Sequence, residues 1–400
     1  MAQRRRKSDA LLSPSDLGQG VGAARAAGRV HVAGRVFNVD GKVVVVADAF
    51  ARVAVELARR TALEPGDLVV VSGIPSGKRL TEGKLVSRQA CPTPTAHGEF
   101  FRAVFAGEAE RLRDQARAQA ATRAFFAERG FVEVTTPLRV PAPGVDFHVD
   151  AIESGGKYLI TSPELHMKRL LVGGLPRIFQ LAKVARADEE GPLHAPEFTM
   201  LEWYRAFADL EQVLVDTEQL VRSVVRSLAG EDQVFVLGRR KVSVAEPFER
   251  ITVRQAFERY AGIKDAARLA ARDEDRYFEL LVSRVEPALA EHPRPIFLTH
   301  YPLSQAALSR PHADDPTVAE RAELYFGGVE LCNAYGELTD PTEQRRRFVA
   351  ESKRRKALGR AVYPLDEPFL ASLVEGMPPS AGNALGFERL VMVATNRSQI

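Results

Sequence analysis

The stretch from Gln180 to Tyr204, QLAKVARADEEGPLHAPEFTMLEWY, constrains this chain more than any other. Its pattern predicts a strand, a turn-rich loop and a second strand. Arg186 closes the first strand; Gly191 and Pro192 break the chain, with acidic residues before them and His194 after. Phe198, Met200, Glu202 and Tyr204 then alternate, which sets them on one face of the second strand. An arginine beside a loop over a sheet suits a nucleotide phosphate, because its planar fork pairs two oxygens at once. On these residues alone, a hairpin with surface charges is the plainer reading.

A second constellation lies at Glu323, Glu330 and Glu337, each seven residues from the next. On one straight strand, odd spacing puts neighbours on opposite faces. Gly327-Gly328 is a two-residue hairpin signal, however. Folding there pairs Phe326 with Val329 and Tyr325 with Glu330, so Glu323 and Glu330 share a face. With no basic partner between them, two such carboxylates repel unless a cation sits there, a setting for Mg²⁺ carried by ATP phosphates. Glu337 needs a bend or bulge to join them, and Gly336 permits one. A solvated acidic hairpin is the bland alternative. Two further stretches carry weaker signals. Tyr158 to Glu164 reads as a strand entering a turn, with Glu164 in the first turn of a helix. Ser380 to Arg389, SAGNALGFER, reads as a glycine-bearing strand leading into a helix, where glycine lets a backbone approach a planar ring.

The remaining chain sets the frame. With 400 residues, 45% of them hydrophobic, two domains are expected rather than one. A net charge of +3 and a pI near 8.8 do not announce nucleic acid. Cys91 and Cys332 lie far apart without zinc spacing, which fits a reducing cytoplasm and gives no disulfide framework. No apolar run is long enough to span a bilayer, and the N-terminus lacks the apolar core of a secretory signal. Residues 1–28 read as a flexible basic tail. From 29 to 95, five short strands (Val30 to Val39, Lys42 to Val46, Arg52 to Leu57, Leu68 to Val71 and Leu80 to Val86) predict a small OB-like barrel, with Asp40-Gly41 as a hairpin turn. Its aromatic residues are Phe37 and Phe50, few for stacking bases. A long helix from Glu99 to Arg129 and a strand from Phe131 to Pro137 follow. Residues 208–230 read as an amphipathic helix.

In this order, from about Arg111 onward, the stretches resemble motifs 1, 2 and 3 of the class II aminoacyl-tRNA synthetases. The run H-x-P-E-F-T-M-L-E-W-Y, at His194 and Pro196 to Tyr204, is most similar to the lysyl branch. Within it, the chain resembles the elongation factor P (R)-β-lysine ligases, synthetase paralogues that modify a protein. The resemblance implies an α+β fold, an antiparallel sheet flanked by helices over residues 96–400, preceded by the OB-like domain. It implies ATP and Mg²⁺, a homodimer built on motif 1, and elongation factor P as partner, with tRNA less favoured. Arg186 would face the α-phosphate and Arg389 the γ-phosphate. Asp188, His194, Glu330, Leu331 and Gly386 would contact ATP, and Glu323 and Glu330 would hold Mg²⁺. Ser162, Pro163 and Glu164 would line the amino-acid pocket, with Glu164 facing the substrate ammonium and Asn333 nearby. Glu337 and Tyr204 would reach the far amine. His300 to Gln305 resembles the family's strand before the acidic cluster. Lysyl-tRNA synthetases typically carry Ala at Ser162 and Gly at Ala384, whereas the protein-modifying paralogues resemble this chain at both.

The chain also departs from the pattern. Motif 2 usually reads Phe-Arg-Asn-Glu-Glu; here it is Ala185-Arg-Ala-Asp-Glu189, with Ala187 and Ala195 in place of asparagines and Pro192 and Leu193 in place of polar residues. Each lost hydrogen bond implies roughly 0.5–1.5 kcal/mol weaker ATP binding. The family also continues past the position of Ile400. A tRNA-charging enzyme and an inactive binding paralogue are the alternative readings.

Overall fold

The computed structural model describes residues 11–19, 28–144, 149–238 and 240–400. Most of the expected tail falls outside them. Where described, it is ordered: Leu11–Leu12 pairs in parallel with His31 and Val32, and Pro14–Gly18 is a short helix. Leu12 is buried among the barrel valines, and Ser13 and Asp16 cap the helix reciprocally, which is why this piece does not remain free.

The chain divides into two compact units, residues 1–114 and 115–400, so the division falls inside a helix rather than at 95/96. In the first unit, β1 (Val30–Asp40), β2 (Val43–Ala47), β3 (Arg52–Leu57), β4 (Leu68–Ser76) and β5 (Arg79–Gln89) follow the order β1-β2-β3-β5-β4, and β4 pairs back onto β1. The sheet therefore closes. Of these five strands only β3 and β5 pair in parallel, the connectivity of an OB-like barrel. Alternation does the work: Val44, Val46, Val53, Val55, Val69 and Val71 fill the interior. Phe37 stacks on Phe105 with the Arg52 guanidinium 3.8 Å from its ring centre, so it is not a bare platform. The helix expected from Glu99 to Arg129 is two: Glu99–Val104, then α1 (Glu108–Glu128), with Gly107 between them at φ +79°.

The second unit is built on eight strands. These are β6 (Val132–Glu133), β7 (Arg177–Ala185), β8 (Glu197–Ala206), β9 (Glu249–Thr252), β10 (Ile296–Thr299), β11 (Arg321–Phe326), β12 (Val329–Gly336) and β13 (Ser380–Gly386). Their order is β9-β10-β11-β12-β13-β8-β7-β6, antiparallel except at the two ends. The strand expected to reach Pro137 stops at Glu133. His300 to Gln305 is not a strand either; it follows β10 and ends in one 3₁₀ turn, with His300 at φ +59°.

Helices α2 (Glu164–Val172), α3 (Leu210–Ala229), α4 (Pro341–Ala357), α5 (Glu367–Gly376) and α6 (Phe387–Ala394) complete the frame. α3 carries Val213, Leu214, Leu220, Val221 and Val224 into the core, is opened by an Asp209–Gln212 capping box and ends at Gly230 in the left-handed region. One face of β8, Leu201 and Trp203, packs on α3 and α6; the other face is left for a site.

Candidate active site

Phe198, Met200 and Glu202 on that other face of β8 form one wall of a cavity of about 480 Å³. Opposite register builds the floor. Glu202 pairs with Ala384 of β13, and Ala384 pairs with Asn333 of β12, so the Ala384 methyl lies between a carboxylate and an amide.

The acidic hairpin folds as its glycines dictate, with Phe326 opposite Val329 and Tyr325 opposite Glu330. Its bulge is not at Gly336. Register slips between Leu324 and Tyr325, so Glu323 faces Asn333 across the ladder. That one extra residue changes the parity of β12 and brings Glu330, Asn333 and Tyr335 onto the cavity face with Glu323. Nor does Glu323 lack a basic partner. Arg321, two residues before Glu323 on the same face, bonds it at 2.6 Å and Asn333 at 3.2 Å. Tyr301 and Tyr325 also donate to Glu323, the latter at 3.0 Å. No described side chain bonds the Glu330 carboxylate; burial and the facing Glu323 push it up to about 7.

At the nucleotide-type end, Arg186 lies at the close of β7, its Nη1 3.5 Å from Glu189 and its guanidinium 5.3 Å from the Phe198 ring. Arg389 on α6 donates to the Leu193 carbonyl at 3.1 Å and the Glu330 carbonyl at 2.9 Å, while its Nη2 meets His194 Nε2 at 2.7 Å. Burial and the Arg389 cation hold the His194 pKa below its ordinary value, so the ring accepts this bond.

The other end is anionic. Ser162 Oγ donates to Glu202 at 2.5 Å and accepts the Glu164 amide at 3.0 Å; Tyr204 donates to the second Glu202 oxygen at 3.0 Å. Beneath them Lys168 joins Glu164 and Glu337, each at 2.5 Å. Burial and the nearby Glu164 push the Glu202 carboxyl up to about 8. Burial likewise raises Glu337 to about 7, against the pull of Lys168.

Residues 101–400 match the family model for tRNA synthetases class II (D, K and N). The chain belongs to the class II tRNA synthetases. It is 39% identical over 291 residues to an elongation factor P–(R)-β-lysine ligase of Proteus mirabilis, covering 70% of this chain and 89% of that one. The same name belongs to relatives in Edwardsiella ictaluri, 39% identical over 297 residues (70% and 89%), and Erwinia tasmaniensis, 38% over 318 residues (72% and 92%).

For a class II synthetase, the expected residues gather with instructive exceptions. Ser162, Glu164, Arg186, His194, Glu323, Glu330, Leu331, Asn333, Ala384, Gly386 and Arg389 all line the cavity. Pro163 is buried at the start of α2. Tyr204 and Glu337 lie one layer behind, reaching the site through Glu202 and Lys168. Asp188 does not line it: at φ +61° the loop turns its side chain into solvent, and Glu189 takes the wall. Glu202, Lys168, Arg321 and Tyr301 were absent from the expected set. A charge two residues from Met200 on a strand buried on both faces was the available signal for Glu202; Arg321 stood at the same-face spacing from Glu323.

Proposed function

We propose that this site activates (R)-β-lysine, or lysine, with ATP and passes it to a lysine of elongation factor P. One observation carries the reading: a cavity with Arg186, His194 and Arg389 at one end and a buried group of three carboxylates around Ser162 and Lys168 at the other. Cationic and anionic ends suit a polyphosphate and a diammonium amino acid joined at a carboxylate.

In this reading the substrate carboxylate attacks the α-phosphorus of ATP in line, and pyrophosphate leaves. Arg186 offsets charge on the α-phosphate, Arg389 on the γ-phosphate, and neutral His194 keeps Arg389 aimed. Positioning supplies most of the acceleration. The lysine amine of elongation factor P then attacks the adenylate carbonyl, AMP leaves, and an amide forms. Asn333 and Ala384 bound the amino acid, and Gly386 and Leu331 the nucleotide.

Among the described residues no cluster of three or more potential ligands suits a metal held by protein alone. Two carboxylates, one of them unpartnered Glu330, do fit Mg²⁺ that brings phosphate oxygens and water as its other ligands. Glu323 and Glu330 would hold it, and when bound it supplies charge neutralisation on the phosphates. The working form would be a homodimer in a reducing cytoplasm.

The test is amino-acid-dependent ATP–pyrophosphate exchange with (R)-β-lysine and α-lysine, followed by transfer to a cognate elongation factor P. Exchange without transfer would sink the protein-ligase reading. The closed five-stranded barrel favours a second reading, tRNA charging. Aminoacylation of tRNA by the purified protein would decide for it.

A further inference from the structure

Lys168 is a lysine with no access to water: its side chain is 1% exposed and that of Glu337 is 0%. A lone buried ammonium is costly, so its place has to be explained by partners. It has two, from different elements. Glu164 sits one turn earlier on α2, and Glu337 follows the end of β12. Glu164 also lines the cavity. Lys168 therefore ties the wall of the site to the residue behind it.

Three carboxyl groups, Glu164, Glu202 and Glu337, surround this one fixed ammonium, an excess of acceptors that suits a substrate carrying ammonium groups. Lys168 engages one oxygen each of Glu164 and Glu337. The Glu337 Oε1 is buried without a hydrogen-bond partner and lies 3.0 Å from where a side chain on Gly382 would begin.

We infer that Lys168 is a positioning residue that ties the Glu164 and Glu337 carboxyl groups together and keeps them aimed, and so makes the pocket selective for an amino acid with two ammonium groups. This rests on the amino-acid activation proposed above. The physical reason is neutralisation. Without an internal cation, clustered buried carboxylates take up a proton instead of staying charged, and a protonated carboxyl no longer draws an ammonium. Lys168 resists losing its own proton: burial pulls its pKa down, but Glu164 and Glu337 outweigh burial and raise it. The other charged or titratable groups facing this cluster are Glu202 and Tyr204 from β8 and Arg310 from the segment before β11. Arg310 is itself paired with Glu320 at 2.6 Å.

The experiment measures ATP–pyrophosphate exchange by the full chain and by Lys168→Met from about pH 6.5 to pH 9, with α-lysine and (R)-β-lysine. The expected result is an amino-acid KM raised about tenfold or more at neutral pH, ATP KM and kcat within about threefold, and the pH dependence of the amino-acid KM moved upward by about one unit. A variant whose amino-acid KM and pH profile match the wild type overturns the role. So does a loss confined to kcat. No exchange by the wild type with either lysine overturns the activation reading itself, and the role of Lys168 with it. Should Lys168→Met not fold, Lys168→Arg, which keeps the charge, carries the test. Retained diamino-acid KM supports a charge role, and a KM raised tenfold overturns it.

Discussion

Ser162 and Glu202, forty residues apart, share a 2.5 Å hydrogen bond, and the same Ser162 oxygen accepts the backbone amide of Glu164. One hydroxyl thus holds the Glu202 carboxyl and the backbone that carries Glu164 in the anionic end of the site. Ser162→Ala removes a donor from the buried Glu202 carboxyl and an acceptor from a helix start. The amino-acid KM should rise about tenfold, roughly the cost of one buried hydrogen bond, with ATP KM unchanged. Steady-state exchange kinetics check it.

Glu202, Glu330 and Glu337 are all raised above the ordinary glutamate range, to about 8, 7 and 7. A carboxyl with a raised pKa in the fold binds more protons folded than unfolded. Its contribution to stability is therefore full below the unfolded value and is lost as pH rises through the folded one. The ligand-free protein should lose thermal stability between about pH 5 and pH 8.5. Glu202→Gln should flatten the upper part of that decline. Melting curves across the range read both; a wild-type profile that rises with pH would refute the account.

Arg321 bonds both Glu323 and Asn333. Arg321→Met leaves Glu323 buried with tyrosines and no cation. Breaking a buried pair from one side costs about 3–5 kcal/mol. Denaturant unfolding should show a loss of that order, partly recovered in the double variant that also carries Glu323→Gln.

Gly382 has no room for a side chain: a Cβ there would lie 2.2 Å from the Tyr204 ring. Gly382→Ala must displace Tyr204, which bonds Glu202. Overpacking of this kind costs about 1–3 kcal/mol. Amino-acid KM should rise while ATP KM stays put, a split that kinetics with each substrate varied separately will show.

Much of the frame is legible in the chain. Alternating valines predict the barrel strands to within a few residues, and the closed order follows. Gly327-Gly328 predicts the hairpin and its first two pairs. Other features were not readable. Only Gly107 marks the break at Phe105 to Gly107, and with helix-forming residues on both sides a single glycine also reads as tolerated within one helix. The bulge at Leu331 involves ordinary strand residues that carry no local signal, whereas the lack of a side chain at Gly336 makes room for the Glu320–Arg310 pair.

The sequence by itself determined the barrel strands, the hairpin, and Arg186 and Arg389 on the cavity wall, since these follow from local periodicity, turn chemistry and motif order. Only the tertiary structure decided which charges meet. Lys168 and Glu337, Arg321 and Asn333, and Ser162 and Glu202 pair across elements, and whether a buried charge is stable depends on its spatial partner, which register and bulges set.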